Sequence, residues 1–264
     1  MDHPKADGGA IGDPTYRLGS VPYLNARPLV ATALDECAFA VPSKLAEEFS
    51  QGLYDAALLP AFEAVRGTSA MVADGICIGS DGPVHSVFLA HKEPWGSIIS
   101  VALDTASLTS SHLLQIILQD FFGLDVEYSE TPVSEDQARL IIGDPAIQFR
   151  REHRDGNWNF LDLGEAWKCT TGLPFVFAIW VIHPSAKNPE ALAGHLREMK
   201  QIGLAMRDTI AAAEPDPDFA RSYLTRSIQF DLGPSGKDAL RLYAALLRKT
   251  GLVPATPENT LLFV

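Results

Sequence analysis

The chain predicts an α/β protein, and three observations carry that prediction. Short apolar strands alternate with amphipathic helices from Leu18 onward. Prolines and glycines stand at the joints between them, among them Pro22, Pro28, Pro42, Pro60, Gly67 and Gly123. A β-α-β stretch at about 93–183 is set between an α/β beginning and a helical end. Such an insertion predicts two lobes with a cleft between them, where ligands favour binding; one continuous domain is the simpler alternative. The division expected is 16–92 with 184–264 as one discontinuous lobe, 93–183 as the other, and 1–15 as a disordered lead-in.

Each element has its own reason. Leu18 and Val21 open a strand that Pro22 ends, since proline cannot donate to a ladder, and Pro28 suits the first turn of a helix. Residues 38–41 read as a second strand, and Ser43 is the expected N-cap of a helix whose apolar face carries Leu45, Phe49 and Leu53. Tyr54 to Leu59 is a buried strand, and Pro60 opens a short helix closed by Gly67. Strands follow at 70–79 and 84–90 around an 80–83 turn, then a polar crossover at 91–96. Ser100 to Leu103 is a strand and His112 to Phe122 an apolar helix ending at Gly123. Ser134 and Gln137 frame a capping box on a short helix. Arg139 to Ile142 is a strand ending in a Gly143-Asp144 turn. Strands at 159–161 and 175–182 flank a helix near Glu165 to Cys169, and His183-Pro184 returns the chain. Pro189 starts a long helix to about Ala213, Asp216-Pro217 another to about Arg226, and a capping-box variant with Ser235 as N-cap, Ser235 to Asp238, a third through Lys249. The tail, Leu261 to Val264, is extended.

Composition narrows the function. A net charge of −12 argues against nucleic acid or an anionic membrane as partner. An anionic ligand would then need local donors, such as helix N-termini and backbone N–H groups. The cysteines at 37, 77 and 169 form no C-x-x-C, which points to buried reduced thiols rather than disulfides or zinc. The first ten residues carry no apolar signal region, and the most apolar run, 173–182, is too short for a bilayer. A cytoplasmic protein is the expectation. Neither a dinucleotide fingerprint, a P-loop nor a nucleophile elbow is present, so no cofactor or metal is expected.

Candidate site residues gather in five places. The loop after the first strand offers Ser20, Tyr23 and Asn25, aimed where a strand end points. The hydroxyl run from Thr105 to Ser111, with Ser107, Thr109 and Ser110, precedes a helix and is richer than a cap requires. Ser86 is preferred over its neighbour His85, because adjacent strand residues face opposite ways. Gly143 and Asp144 end a buried strand, and Asp144 is the best-placed carboxylate for a base role. Thr171 and Gly172 form a backbone-donor loop or, equally, a C-cap and linker. Taken on residues alone, this is a two-lobed α/β protein that binds a small anion.

The segment Ser20-Val-Pro-Tyr-Leu-Asn-Ala-Arg-Pro-Leu29 resembles the opening motif of the chorismate dehydratases of the futalosine route to menaquinone. In-order matches at 54–63, 80–87, 107–110, 142–146 and 171–175 extend the resemblance over roughly 17–183. Leu108 stands where that family commonly has an arginine, and Pro22 is a further departure. The resemblance implies a type II periplasmic-binding-protein-like fold, chorismate as a dianionic substrate, and dehydration to 3-[(1-carboxyvinyl)oxy]benzoate. Asn25 and Ser86 would be the catalytic pair, with the substrate's own enolpyruvyl carboxylate as base. The rival readings are 1,4-dihydroxy-6-naphthoate synthase, a non-catalytic solute-binding protein, and a detached effector domain. Whether the protein is a monomer or a homodimer is left open by the sequence.

Overall fold

Two sheets take up the predicted strands in a computed structural model that describes residues 16–67, 69–104, 107–132, 134, 137–254 and 260–264. The expected lead-in at 1–15 and the two inner residues of the 134–137 capping box, 135 and 136, lie outside the described residues. The chain lays down β1 (Leu18–Ser20), β2 (Cys37–Phe39), β3 (Ala56–Pro60) and β4 (Ser69–Ser80). It then crosses to a second sheet with β5 (Val87–His91), β6 (Ser100–Ala102), β7 (Glu127–Ser129), β8 (Ala138–Ile142) and β9 (Asn159–Asp162). β10 (Phe175–Ile182) and β11 (Thr260–Phe263) return to the first. The sheet orders are β11-β4-β10-β3-β1-β2 and β7-β6-β8-β5-β9. β1 pairs in parallel with β2 and β3, whereas β10 runs antiparallel to both β3 and β4.

Sheet membership moves the lobe boundaries. β5 pairs with β8 and β9, and β10 with β3 and β4, so the chain changes sheets at 81–86 and again at 163–174. The divisions expected at 92/93 and 183/184 therefore do not follow the sheets. Both strands are apolar nearly throughout, and such a run says that a strand is buried, not which sheet buries it.

Helices cover the sheets: α1 (Arg27–Val30), α2 (Pro42–Ser50), α3 (Ala61–Val65), α4 (Leu108–Ile116) and α5 (Gly143–Glu152). They continue with α6 (Leu163–Thr171), α7 (Pro189–Ala205), α8 (Arg207–Ala212), α9 (Pro217–Ser222) and α10 (Pro234–Lys249). Two N-cap expectations are corrected by one cause. Proline takes the first helical position in α2 and α10, which moves the caps to Val41 and Gly233 and leaves Ser43 and Ser235 inside the helices. The long helix expected to Ala213 breaks at Met206, whose N–H bonds the Gly203 carbonyl at 3.0 Å in a tight turn. Where the sequence predicts only a turn at Gly143-Asp144, the chain forms α5. Cys37 and Cys77 are buried, as expected of structural thiols, but Cys169 is exposed.

One apolar core runs beneath both sheets, with Trp167, Trp180, Tyr223 and Tyr243 among its largest fully buried side chains. Each such side chain contributes on the order of 2 kcal/mol or more by leaving water. The Trp167 indole donates to the Pro174 carbonyl at 3.1 Å, so burial of its polar edge is compensated. Behind the first sheet, α7 meets α1 backbone to backbone. A Cβ at Gly203 would lie 1.7 Å from the Pro28 carbonyl oxygen. Among the described residues no helix is long and apolar enough to cross a membrane.

Candidate functional site

The site grows out of the end of β1. Pro22 stops the ladder, Tyr23 is extended, and a single 3-10 turn over Leu24–Ala26 leads into α1, with Pro28 in its first turn. This turn buries the Asn25 carboxamide in the wall of a cleft between the two sheets. Its Oδ1 is buried without a hydrogen-bond partner. A buried amide oxygen left unpaired costs about 1–3 kcal/mol, which a ligand donor would recover.

The opposite wall is made by two helix N-termini. Ser107 caps α4, its Oγ accepting from Ser110 N–H at 3.4 Å and donating to Ser110 Oγ at 3.3 Å. Ser107 and Ser110 both line the cleft. Thr109 does not: its Oγ1 accepts from Phe62 N–H at 2.9 Å and its carbonyl from the Tyr243 hydroxyl at 3.0 Å, which anchors α4 to α3 and α10. The first turn of α5 supplies Gly143, whose φ of +65° favours glycine. A Cβ there would stand 3.3 Å from the Tyr23 ring, so Tyr23 lies close over the start of this helix. The remaining lining is apolar, from Val21, Leu58, Ile78, Val87, Ile142 and Phe177. Among the described lining residues there is no carboxylate, lysine, arginine or histidine. The arrangement can hold an anion through helix dipoles and hydroxyls rather than through ion pairs. The cleft has about 60 Å³ of free space, well below the ~300 Å³ at which small-molecule pockets begin, so the walls must part to admit a ligand.

Three expected site residues stand just behind this surface. Ser20 is fully buried, its hydroxyl turned back on the Val21 carbonyl at 3.4 Å. Ser86 is also fully buried, its Oγ 2.7 Å from the Tyr223 hydroxyl. The crossover carrying Ser86 is held by the Asp162 carboxylate. That group accepts from Val84 N–H at 3.0 Å and His85 N–H at 2.7 Å, and also caps α6 through Gly164 and Glu165. Asp144 accepts from Leu24 N–H at 3.0 Å and so ties α5 to the turn that bears Asn25. It faces away from the cleft, into a hollow shared with Arg151 and with Glu214, the ion-pair partner of Arg27. Burial holds its carboxyl above the ordinary range, against the opposing pull of the Leu24 N–H and Arg27.

Thr171 and Gly172 are not brought to the cleft. Thr171 Oγ1 donates to the Trp167 carbonyl at 2.8 Å and accepts from Leu173 N–H at 3.1 Å. Gly172, at φ +72°, closes α6 in the left-handed conformation. The C-cap-and-linker reading applies there. The residue that sequence reasoning missed is Tyr223, which begins a π-helical turn over Tyr223–Ser227 after α9. Burial pushes its phenol well above the ordinary range, while hydrogen bonding from Ser86 and from the Asn25 side chain pulls the other way. Tyr223 thus joins the two residues expected to be catalytic. Its one sequence signal is the aromatic itself, 137 positions from Ser86.

The fold is that of periplasmic binding proteins. Protein AF1704 from Archaeoglobus fulgidus superposes with a TM-score of 0.68 at 15% identity, covering 90% of this chain and 98% of that one. The periplasmic aliphatic sulphonate binding protein SsuA from Escherichia coli does so with a TM-score of 0.59 at 17% identity, covering 90% and 93%. In sequence, the chain is 34% identical over 151 residues to chorismate dehydratase of Thermus thermophilus, covering 50% of this chain and 55% of the relative. It is 30% identical over 138 residues to chorismate dehydratase of Campylobacter jejuni, covering 52% and 49%. The matched part thus spans about half the length of each relative. The family model described as menaquinone biosynthesis matches residues 16–249, from the strand that leads into Asn25 to the end of α10, and by that match the chain belongs to the menaquinone-biosynthesis family.

Proposed function

We propose that this chain is a cytoplasmic hydro-lyase that converts chorismate to 3-[(1-carboxyvinyl)oxy]benzoate and water. The observation that carries the reading is a cleft with an apolar body, polar ends of neutral charge and two helix N-termini. Chorismate has a ring to match the apolar walls and two carboxylates to match the helix ends. The matches to chorismate dehydratases support the same assignment over half the chain.

In the reaction the C3–H bond and the C4–O bond of the ring break, a proton and hydroxide leave as water, and the ring becomes aromatic. Aromatisation drives the step, so the protein's share is to hold a reactive conformer and guide the proton. With no carboxylate among the described lining residues, the enolpyruvyl carboxylate of the substrate takes the C3 proton and passes it to the C4 oxygen, which leaves as water. Asn25 Oδ1, otherwise unpaired, accepts from the departing hydroxyl and orients it. Tyr223, bound to Ser86 and placed beside Asn25, is a positioning residue that fixes the amide's direction.

Purified protein incubated with chorismate should generate the aromatic product, followed by ultraviolet absorbance and mass. Asn25→Ala should lower kcat by about a hundredfold or more, the usual cost of one preorganised polar contact. A near-normal rate in that variant would remove Asn25 from the centre of the mechanism.

A further inference from the structure

A second pocket opens on the outer side of the 81–86 crossover, away from the cleft. It has about 430 Å³ of free space and is lined by His85, Arg150, Arg151, Arg154, Phe160 and Phe219. In a chain of net charge −12, three guanidinium groups on one wall call for an explanation. Arg17, Arg27, Arg66, Arg221 and Arg241 each pair with a carboxylate. Among the described residues Arg150, Arg151 and Arg154 have no such partner. Arg150 is held instead by ring faces, 5.4 Å above Phe160 and 6.0 Å above Phe88, with its Nη1 3.4 Å from His85 Nδ1. This keeps the cation oriented without neutralising it. Asp216, which also borders the pocket, caps α9 by accepting from Phe219 N–H at 3.1 Å, and its single negative charge is outnumbered by the three guanidinium groups.

The backbone supplies a second observation. His85 has φ +64°, the one left-handed non-glycine among the described residues. Asp162 holds its N–H, and the side chain thereby turns to this pocket while Ser86 turns inward. Such a conformation is kept where surrounding structure demands it, and it clusters at ligand sites.

We propose that this pocket is a second ligand site, for an organic anion that carries two carboxylates on a flat apolar body. The guanidinium groups match carboxylates bidentately, and Phe160 and Phe219 receive the body. One wall comes from α5 beside the second sheet and the other from α9, so the ligand would bridge the two. The site does not depend on the dehydratase assignment, since its test needs no turnover.

Isophthalate is the probe, titrated calorimetrically into the full chain. Wild type should bind it, with affinity that falls as salt rises. Arg151→Gln/Arg154→Gln, both exposed positions, should bind at least tenfold more weakly with an unchanged melting temperature. No binding to wild type overturns the proposal, as does equal affinity in the double variant. A comparable loss in Asn25→Ala would place the probe in the cleft and overturn it as well.

Discussion

Residues 107–110 and 170–174 carry similar chemistry, hydroxyls beside a helix with small or rigid neighbours, yet they stand at opposite helix ends. Ser107 and Ser110 lie at the N-terminus of α4, where unpaired N–H groups and the dipole attract negative charge. Thr170, Thr171 and Gly172 lie at the C-terminus of α6, where carbonyls point outward and an anion is repelled. Their hydroxyls accordingly turn to the Ala166 and Trp167 carbonyls. Hydroxyl content alone thus does not make an anion site. The direction of the helix that the hydroxyls flank decides it.

Charge placed at each segment tests this most sharply. Aspartate caps a helix as well as serine does, so Ser107→Asp should fold normally while setting a negative charge against an anionic ligand. We expect KM for chorismate to rise by about a thousandfold, in line with ~4 kcal/mol for like charges at 4 Å in a partly polar site. Thr171→Asp should leave the kinetics unchanged. Equal effects at both positions would break the distinction.

A smaller effect separates structure from binding at the α6 end. Gly172→Ala puts a side chain at φ +72° and should cost about 1 kcal/mol. That is a fall of ~2–4 °C in Tm for a chain of this size, read by calorimetry with kcat/KM unaltered.

The smallest effect concerns Asp144. Its raised carboxyl pKa means that the folded protein holds this proton more tightly than the unfolded chain does. Stability from this group is therefore lost as pH rises from the ordinary carboxylate value through the raised one. Asp144→Asn keeps an acceptor for Leu24 N–H. It should be as stable as wild type or slightly more so near neutral pH, with the gap closing in acid. Turnover should stay within about threefold; its abolition with chorismate binding intact would make Asp144 the base.

What the sequence made legible follows from what is local. β10 falls on the predicted 175–182, and the Asp216 and Pro189 helix starts lie where their capping chemistry puts them. The Asn25 turn was readable because two prolines bracket it. α5 was missed because Gly143-Asp144-Pro145 has the composition of a turn, although proline is equally at home in a first helical turn. β7 was missed because a three-residue edge strand with two exposed positions carries no alternation to detect. The lobe boundaries, Tyr223 and the arginine pocket depend on pairings between distant segments, which no local pattern encodes.

The backbone contact between Gly203 and Pro28 bears on how such a site tolerates change. α1 follows Asn25 by two residues, and its carbonyl rests directly on α7, with no side chain between them to yield. The Asn25 turn is in effect gauged from behind, by a helix that lines no part of the cleft. Drift in α7 would be felt first as a loss of aim at Asn25, before any loss of fold. A helix that lines no part of the cleft therefore carries part of the site's precision, and its freedom to vary is narrower than its absence from the cleft implies.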